Sequence, residues 1–171
     1  MSSNYSIEQI NEMIRKNEKK KKFFAKKIHL RFSDYIYDRK IHFSKLFEFF
    51  EMSRFDIMHN FYDFVYKRSK LNEDINLGNF VVVRVQCDSY KTLNVSIYSD
   101  IQVKTILTIH QKPLLEFEQV AFECENNLPL IRANIKIAIV DNAFEKVEEW
   151  DRDILLAILE FINIYGKEEE I

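Results

Sequence analysis

The hydrophobic period of this chain changes at Asn79, and that change governs what it can fold into. Before Asn79, apolar residues recur at helical spacing; after it they alternate, and the alternation persists to Ile139. A period near 3.6 belongs to helices and a period of 2 to strands with one buried face. Val81, Val83, Val85 and Cys87 alternate with Val82, Arg84, Gln86 and Asp88. Leu93, Val95 and Ile97 predict a second short strand. Ile101, Val103, Leu107 and Ile109 predict a third, with Gln102, Lys104, Thr108 and His110 on the opposite phase. Val120, Phe122 and Cys124 predict a fourth; Leu115 and Phe117 fall on the other parity, so a bulge is expected near Glu118–Gln119. Ile131, Ala133, Ile135, Ile137 and Ile139 oppose Arg132, Asn134 and Lys136 in the fifth. The gaps are short and turn-like, and short gaps join antiparallel neighbours. An antiparallel meander of about five strands, with one apolar and one wet face, is expected.

Helices flank it. Ser6 with Gln9 has capping-box spacing, and Ile7, Ile10 and Ile14 follow, predicting a helix that runs through the lysines to about Ile28. Between Phe43 and Lys70 the spacing is again helical, with Phe43 placed as a hydrophobic staple. Ser53 followed by Asp56 reads as a fresh N-cap, so two helices at an angle are expected, one kinked helix being the alternative. Asn142 with Glu145 opens a last helix whose stripe runs from Val147 and Trp150 to Tyr165, with Gly166 at its end and a restart at Asp151 or Asp153 left open. Helices, then sheet, then helix is an α+β order, with the C-terminal helix packed on the sheet. A single domain over 1–171 is expected: a helical part (1–72) with a basic first helix, a sheet (79–140) and a C-terminal helix (142–166).

Composition bears on function through one residue type. Glycine occurs only at Gly78 and Gly166. Phosphate-cradling loops, dinucleotide fingerprints and nucleophile elbows all depend on glycine, and none fits here. Cys87 and Cys124 lie on the apolar phase of their strands and read as core residues, too few for a disulfide scaffold. His29, His42, His59 and His110 belong to no HExxH or HxH pattern. Glu116, Glu118, Glu123 and Glu125 face Lys104, Arg132 and Lys136, a pattern of cross-strand charge pairs rather than of catalytic acids. No catalytic residue, metal or cofactor is therefore expected. No stretch approaches the roughly 20 apolar residues of a membrane span, and no secretory signal precedes the basic segment, so the cytoplasm is the expected location.

The net charge of −2 hides an asymmetry: lysines and arginines crowd Arg15–Arg31, and acids dominate Asp141–Ile171. Either the two ends meet, or one meets an anionic partner. The expected function is a non-enzymatic protein-interaction module, such as a small inhibitor, immunity or adaptor protein of phage or mobile-element origin. Phe49, Phe55 and Phe64 from the aromatic segment, and Lys104, His110 and Arg132 from the wet sheet face, would form its protein-binding surface. Nucleic-acid binding is the alternative, through Lys19, Lys20, Lys21, Lys22, Lys26 and Lys27. Leu46–Ile57 resembles the helix–turn–helix spacing of bacterial DNA-binding domains. Within this helix–turn–helix-like segment, 46–67, the resemblance makes Ser53 the cap of the recognition helix (Ser53–Lys67) and puts Arg54, Phe55, His59 and Asn60 near a groove. It departs from the family at Phe47, where a small residue is usual, and at Glu51, where glycine is usual. Another protein is the expected partner, nucleic acid the alternative, and a homo-oligomer is left open.

Overall fold

The structure is a computed structural model that describes residues 5–31, 34–36, 40–68, 79–89, 100–141, 143–145, 147 and 149–168. The first helix, α1 (Ile7–Lys19), begins with the expected reciprocal cap: Gln9 N–H donates to Ser6 Oγ at 3.2 Å, and Ser6 N–H to Gln9 Oε1 at 2.7 Å. Ile10 and Ile14 are its buried residues. It stops at Lys19 rather than Ile28, and Phe23–His29 form a strand, β1. The reason lies in Phe24, Lys26 and Ile28, which alternate toward the interior while every residue of β1 pairs across to the same neighbouring strand. The lysine segment is thus partly a sheet edge, not a solvated rod.

After β1 come a two-stranded hairpin, β2 (Tyr35–Ile36) and β3 (Lys40–Ile41), and then α2 (Phe43–Arg68). The remaining elements are β4 (Asn79–Ser89), β5 (Asp100–Ile109), β6 (Leu114–Glu123), β7 (Leu128–Val140) and α3 (Arg152–Tyr165). One five-stranded antiparallel sheet has the order β1-β5-β6-β7-β4, and the expected α+β architecture is present. Consecutive β5, β6 and β7 make the meander, while β4 crosses to the far edge and pairs with β7. The strand expected at Leu93–Ile97 lies outside the described residues.

Within β6 there is no bulge at Glu118–Gln119. Leu115, Phe117, Gln119, Ala121 and Glu123 are all buried on one face, and the register slips later, between Ala121 and Phe122. Polar side chains occupy two inward positions because the interior supplies partners for them. Cys87 is half-buried and packs against the core, whereas Cys124 is exposed just past the strand and is not the core residue expected.

The helix α2 is continuous over 26 residues, about 39 Å, and the concave sheet face covers it. It contains no glycine or proline to break it. Leu46, Phe49, Phe50, Ile57, Phe61 and Val65 face the sheet. Ser53 begins no second helix. It is 2 % exposed, and its Oγ shares a 2.9 Å hydrogen bond with Thr105 Oγ1 of β5.

The last helix opens at Asp151, whose carboxylate accepts the N–H groups of Asp153 and Ile154. The expected opening at Asn142 falls on a residue outside those described. Among its neighbours, Ala143 and Glu145 donate to Asp141 Oδ1 in a non-helical turn, and Trp150 Nε1 donates to the His110 carbonyl at 2.8 Å. Gly166 ends α3 with φ −73°, so it serves closeness rather than a left-handed turn. A Cβ there would lie 2.6 Å from the Ile162 carbonyl and 2.8 Å from Lys22 Cβ. Just beyond, Lys167 exchanges both backbone hydrogen bonds with Phe23 and covers the β1 edge.

Candidate functional site

Polar groups converge where β1, the hairpin and the start of α2 meet. Asp34 is 8 % exposed; its Oδ2 accepts Arg31 N–H at 2.7 Å, and its backbone ties to both Arg31 and His42. These bonds close the connection and aim the chain into α2. His42 stands at the helix N-terminus as a cap: Ser44 N–H donates to its Nδ1 at 3.2 Å, and Ser44 Oγ lies 2.6 Å from the same nitrogen. Lys45 Nζ bridges the buried and exposed carboxylates, 4.0 Å from Asp34 Oδ1 and 2.7 Å from Glu48 Oε2. The Glu48 hydrogen bond raises the Lys45 pKa against the opposing effect of burial, so this ammonium stays charged. The positive end of a 26-residue helix points at the cluster. The connection before α2 and its first turns thus carry two side-chain sets, an imidazole with a hydroxyl and an ammonium between two carboxylates. Sequence spacing hid them, because His42 and Glu48 match no motif.

A second polar group lies deeper under α2. Gln119 Nε2 donates to Thr105 Oγ1 and to the Phe50 carbonyl, both at 3.0 Å, and Arg54 Nη1 donates to Gln119 Oε1 at 2.7 Å. Thr105 and Gln119 are fully buried.

On the convex face, charges pair across strands. Glu116 accepts from Asn134, contacts His110 Nε2 at 2.6 Å and lies 3.5 Å from Lys136 Nζ. Burial pushes the Glu116 carboxyl up, but the Asn134 and His110 hydrogen bonds and the Lys136 charge outweigh it and hold the pKa below its ordinary 4.5. The unfolded chain therefore binds this proton more readily than the folded one. The stability Glu116 contributes is complete above the unfolded value and is lost as pH falls through the lower folded value. Glu116→Gln is expected to lose less stability than the parent between about pH 5 and pH 3, read from urea midpoints.

The residues singled out from the sequence are dispersed. Lys19 ends α1; Lys20 and Lys22 each lie 4.0 Å from Glu168, and Lys22 Nζ also donates to the Asn163 carbonyl at 2.7 Å. Lys21 pairs with Glu118, Lys26 with Asp56, and Lys27 with Asp100. The basic segment meets acids of the same chain, and Lys20 and Lys22 reach its acidic end. Arg54 is part of the buried group under α2. Phe49 is a core residue, Phe55 is 64 % exposed, and Phe64 lines a cleft of about 710 Å³ with Phe24, Phe161 and Tyr165. Lys104 lies over the Phe23 and Phe122 rings, His110 pairs with Glu116, and Arg132 with Glu118. Among the described residues, no cluster of His, Cys, Asp and Glu could hold a metal ion.

No protein-family model matches the chain, and no curated protein matches it in sequence. Solved structures do match in fold. The probable thioesterase YbaW of Escherichia coli superposes with a TM-score of 0.64 at 14% identity, over 81% of this chain and 98% of that one. Slr0204 of Synechocystis, a 1,4-dihydroxy-2-naphthoyl-CoA thioesterase, gives 0.60 at 13% identity, over 80% and 95%. A thioesterase of Thermus thermophilus, solved with coenzyme A and Zn, gives 0.58 at 14%, over 81% and 93%. The chain has the hotdog fold. The expectation of a non-enzymatic module is corrected by this likeness, together with its inhibitor and immunity forms and its phage origin. The nucleic-acid alternative falls with it: the helix–turn–helix segment is one unbroken helix inside a hotdog sheet. Scarce glycine excludes glycine-built phosphate loops; it does not exclude a sheet wrapped around a helix. Among the described residues, no helix is long and apolar enough to cross a membrane.

Proposed function

We propose that this chain is a thioesterase that hydrolyses an acyl thioester of coenzyme A. The supporting observation is the sheet wrapped around α2, shared over nearly the whole length of structures described as thioesterases. The cluster at the start of α2 supplies the chemistry. Because Ser44 N–H donates to His42 Nδ1, the neutral ring carries its proton on Nε2. That N–H, with the positive end of α2, stabilises the oxyanion that forms when the thioester carbonyl is attacked. Glu48, oriented by Lys45, accepts a proton from the attacking water. Water oxygen bonds to the acyl carbon, the carbon–sulfur bond breaks, and the sulfur leaves as the thiol after taking the proton. The test is release of free thiol from a panel of short, long and aromatic acyl-CoA esters. Rates no greater than buffer for every ester would end this proposal.

The working form is a homodimer. Among the described residues β4, 11 residues long, is a sheet edge with no strand on its outer side, and its Val81, Val82, Val83 and Val85 are 38–52% exposed. A long apolar edge is a template for another strand. Tyr62 packs on Phe80, so this edge continues into exposed Met52, Phe55 and Tyr66 of α2. A two-fold axis at Gln86 sets Arg84 against Asp88 of the second copy, which makes the edge self-complementary in charge. Val82→Lys with Val85→Lys is expected to bring the sedimenting mass down to the 20.6 kDa of one chain. A parent protein already at that mass would refute the dimer.

A further inference from the structure

Arg54 sits half-buried beneath the helix flank, and its one hydrogen-bond acceptor among the described residues is the neutral Gln119 amide at 2.7 Å. Among those residues no carboxylate comes within ion-pair distance; Glu51 acts on it only through space. A guanidinium carries five N–H donors and stays protonated in a protein. Placing that charge where water is partly excluded is unfavourable unless an anion meets it.

The position of Arg54 shows where such an anion would come from. One inward row crosses all five strands: Phe24, Thr105, Gln119, Ala133 and Cys87. The row is tall at Gln119 and low at Ala133, the small residue between Arg54's partner and the open strand β4. On that strand Val82 and Val85 pair with the inward Ile137 and Ile135, yet remain 50% and 52% exposed. Among the described residues the inner face of β4 is therefore open, and the row joins it across the low Ala133 to Gln119, the partner of Arg54. Its apolar lining strengthens any charge pairing made there.

We propose that Arg54 binds an anionic group, carboxylate or phosphate, of a ligand lying along the open inner face of β4. The ligand's identity as a thioester substrate rests on the function proposed above. Arg54 is ten residues beyond Ser44, about 15 Å along α2 from the carbonyl site. Either a phosphate of the coenzyme A arm or a carboxylate at the far end of the acyl group brings the same chemistry. The planar guanidinium fork grips either one through two parallel hydrogen bonds.

Calorimetric binding separates the two sources, with coenzyme A as the phosphate probe and adipate as the carboxylate probe. Arg54→Gln is expected to weaken one of them by about 10–100-fold, and Arg54→Lys to weaken it less, because charge remains but the fork is lost. Loss confined to coenzyme A assigns the phosphate, and loss confined to adipate assigns the acyl carboxylate. Unchanged affinity for both probes in folded Arg54→Gln overturns the proposal. Should that variant fail to fold, Arg54→Lys binding both probes like the parent overturns it equally. Because binding is measured without turnover, the two ideas fail separately. Anion binding lost at Arg54 in a protein that hydrolyses no thioester removes the function and keeps the site. Hydrolysis with unchanged affinities in Arg54→Gln does the reverse.

Discussion

His42→Ala is expected to lower kcat/KM for acyl-CoA hydrolysis by about 100–1,000-fold, the usual cost of losing one donor to a developing oxyanion. Two effects are superposed in that variant. His42 also caps α2 through the Ser44 N–H, and losing a cap costs about 1 kcal/mol of stability. His42→Asp separates them. Aspartate caps a helix N-terminus well and suits its positive end, but it presents no N–H to a carbonyl. The Asp variant is expected to melt near the parent and to be as inactive as the Ala variant. An active Asp variant would show that His42 only caps. Glu48→Gln should lose activity with little change in KM, since the carboxylate acts on water rather than on the acyl group.

The largest stability loss is expected at Phe161→Ala. This ring is 1 % exposed and lies within 5.1–5.8 Å, centroid to centroid, of Phe24, Phe61, Phe64 and Tyr165. It therefore joins β1, α2 and α3 in one contact set. Truncating a buried phenylalanine costs about 3–5 kcal/mol, from lost burial and from the cavity left behind. Against a total stability of roughly 5–15 kcal/mol, that is a large fraction. At about 2–4 °C per kcal/mol for a chain of this size, the melting temperature should fall by about 6–20 °C. The adjoining cleft could let neighbours relax into the space, and such collapse would place the result at the lower end. A shift under about 2 °C would mean that α3 is not anchored through this ring.

Much of the architecture was legible because it rests on local repetition. The inward residues of β5 follow strict alternation, and those of β7 hold it from Ile131 to Ile137. The α1 cap was legible too, because a capping box closes within four residues. Ser53 was misread for an equally physical reason. A serine followed by an acid three residues later is a cap wherever a helix begins, and nothing local says that Thr105 waits across the sheet to take its hydroxyl. Gln119 was misread likewise: a polar side chain on an inward phase looks like a register error until Arg54, Phe50 and Thr105 are placed around it.

The candidate site was invisible for a different reason. Asp34, His42, Lys45 and Glu48 obey no spacing rule, because a hairpin and a helix start bring them together rather than one periodic element. The sequence by itself determined the α+β class, the inward face of β5 and of Ile131–Ile139 in β7, and the cap of α1, since each depends on residues close along the chain. Only the tertiary structure decided that the lysine segment supplies an edge strand, that β4 crosses to the opposite edge, and that the aromatic segment is one helix held in the sheet. Those outcomes depend on pairings between distant segments, such as Phe23 with Ile106 and Asn79 with Val140, whose energy no local pattern records.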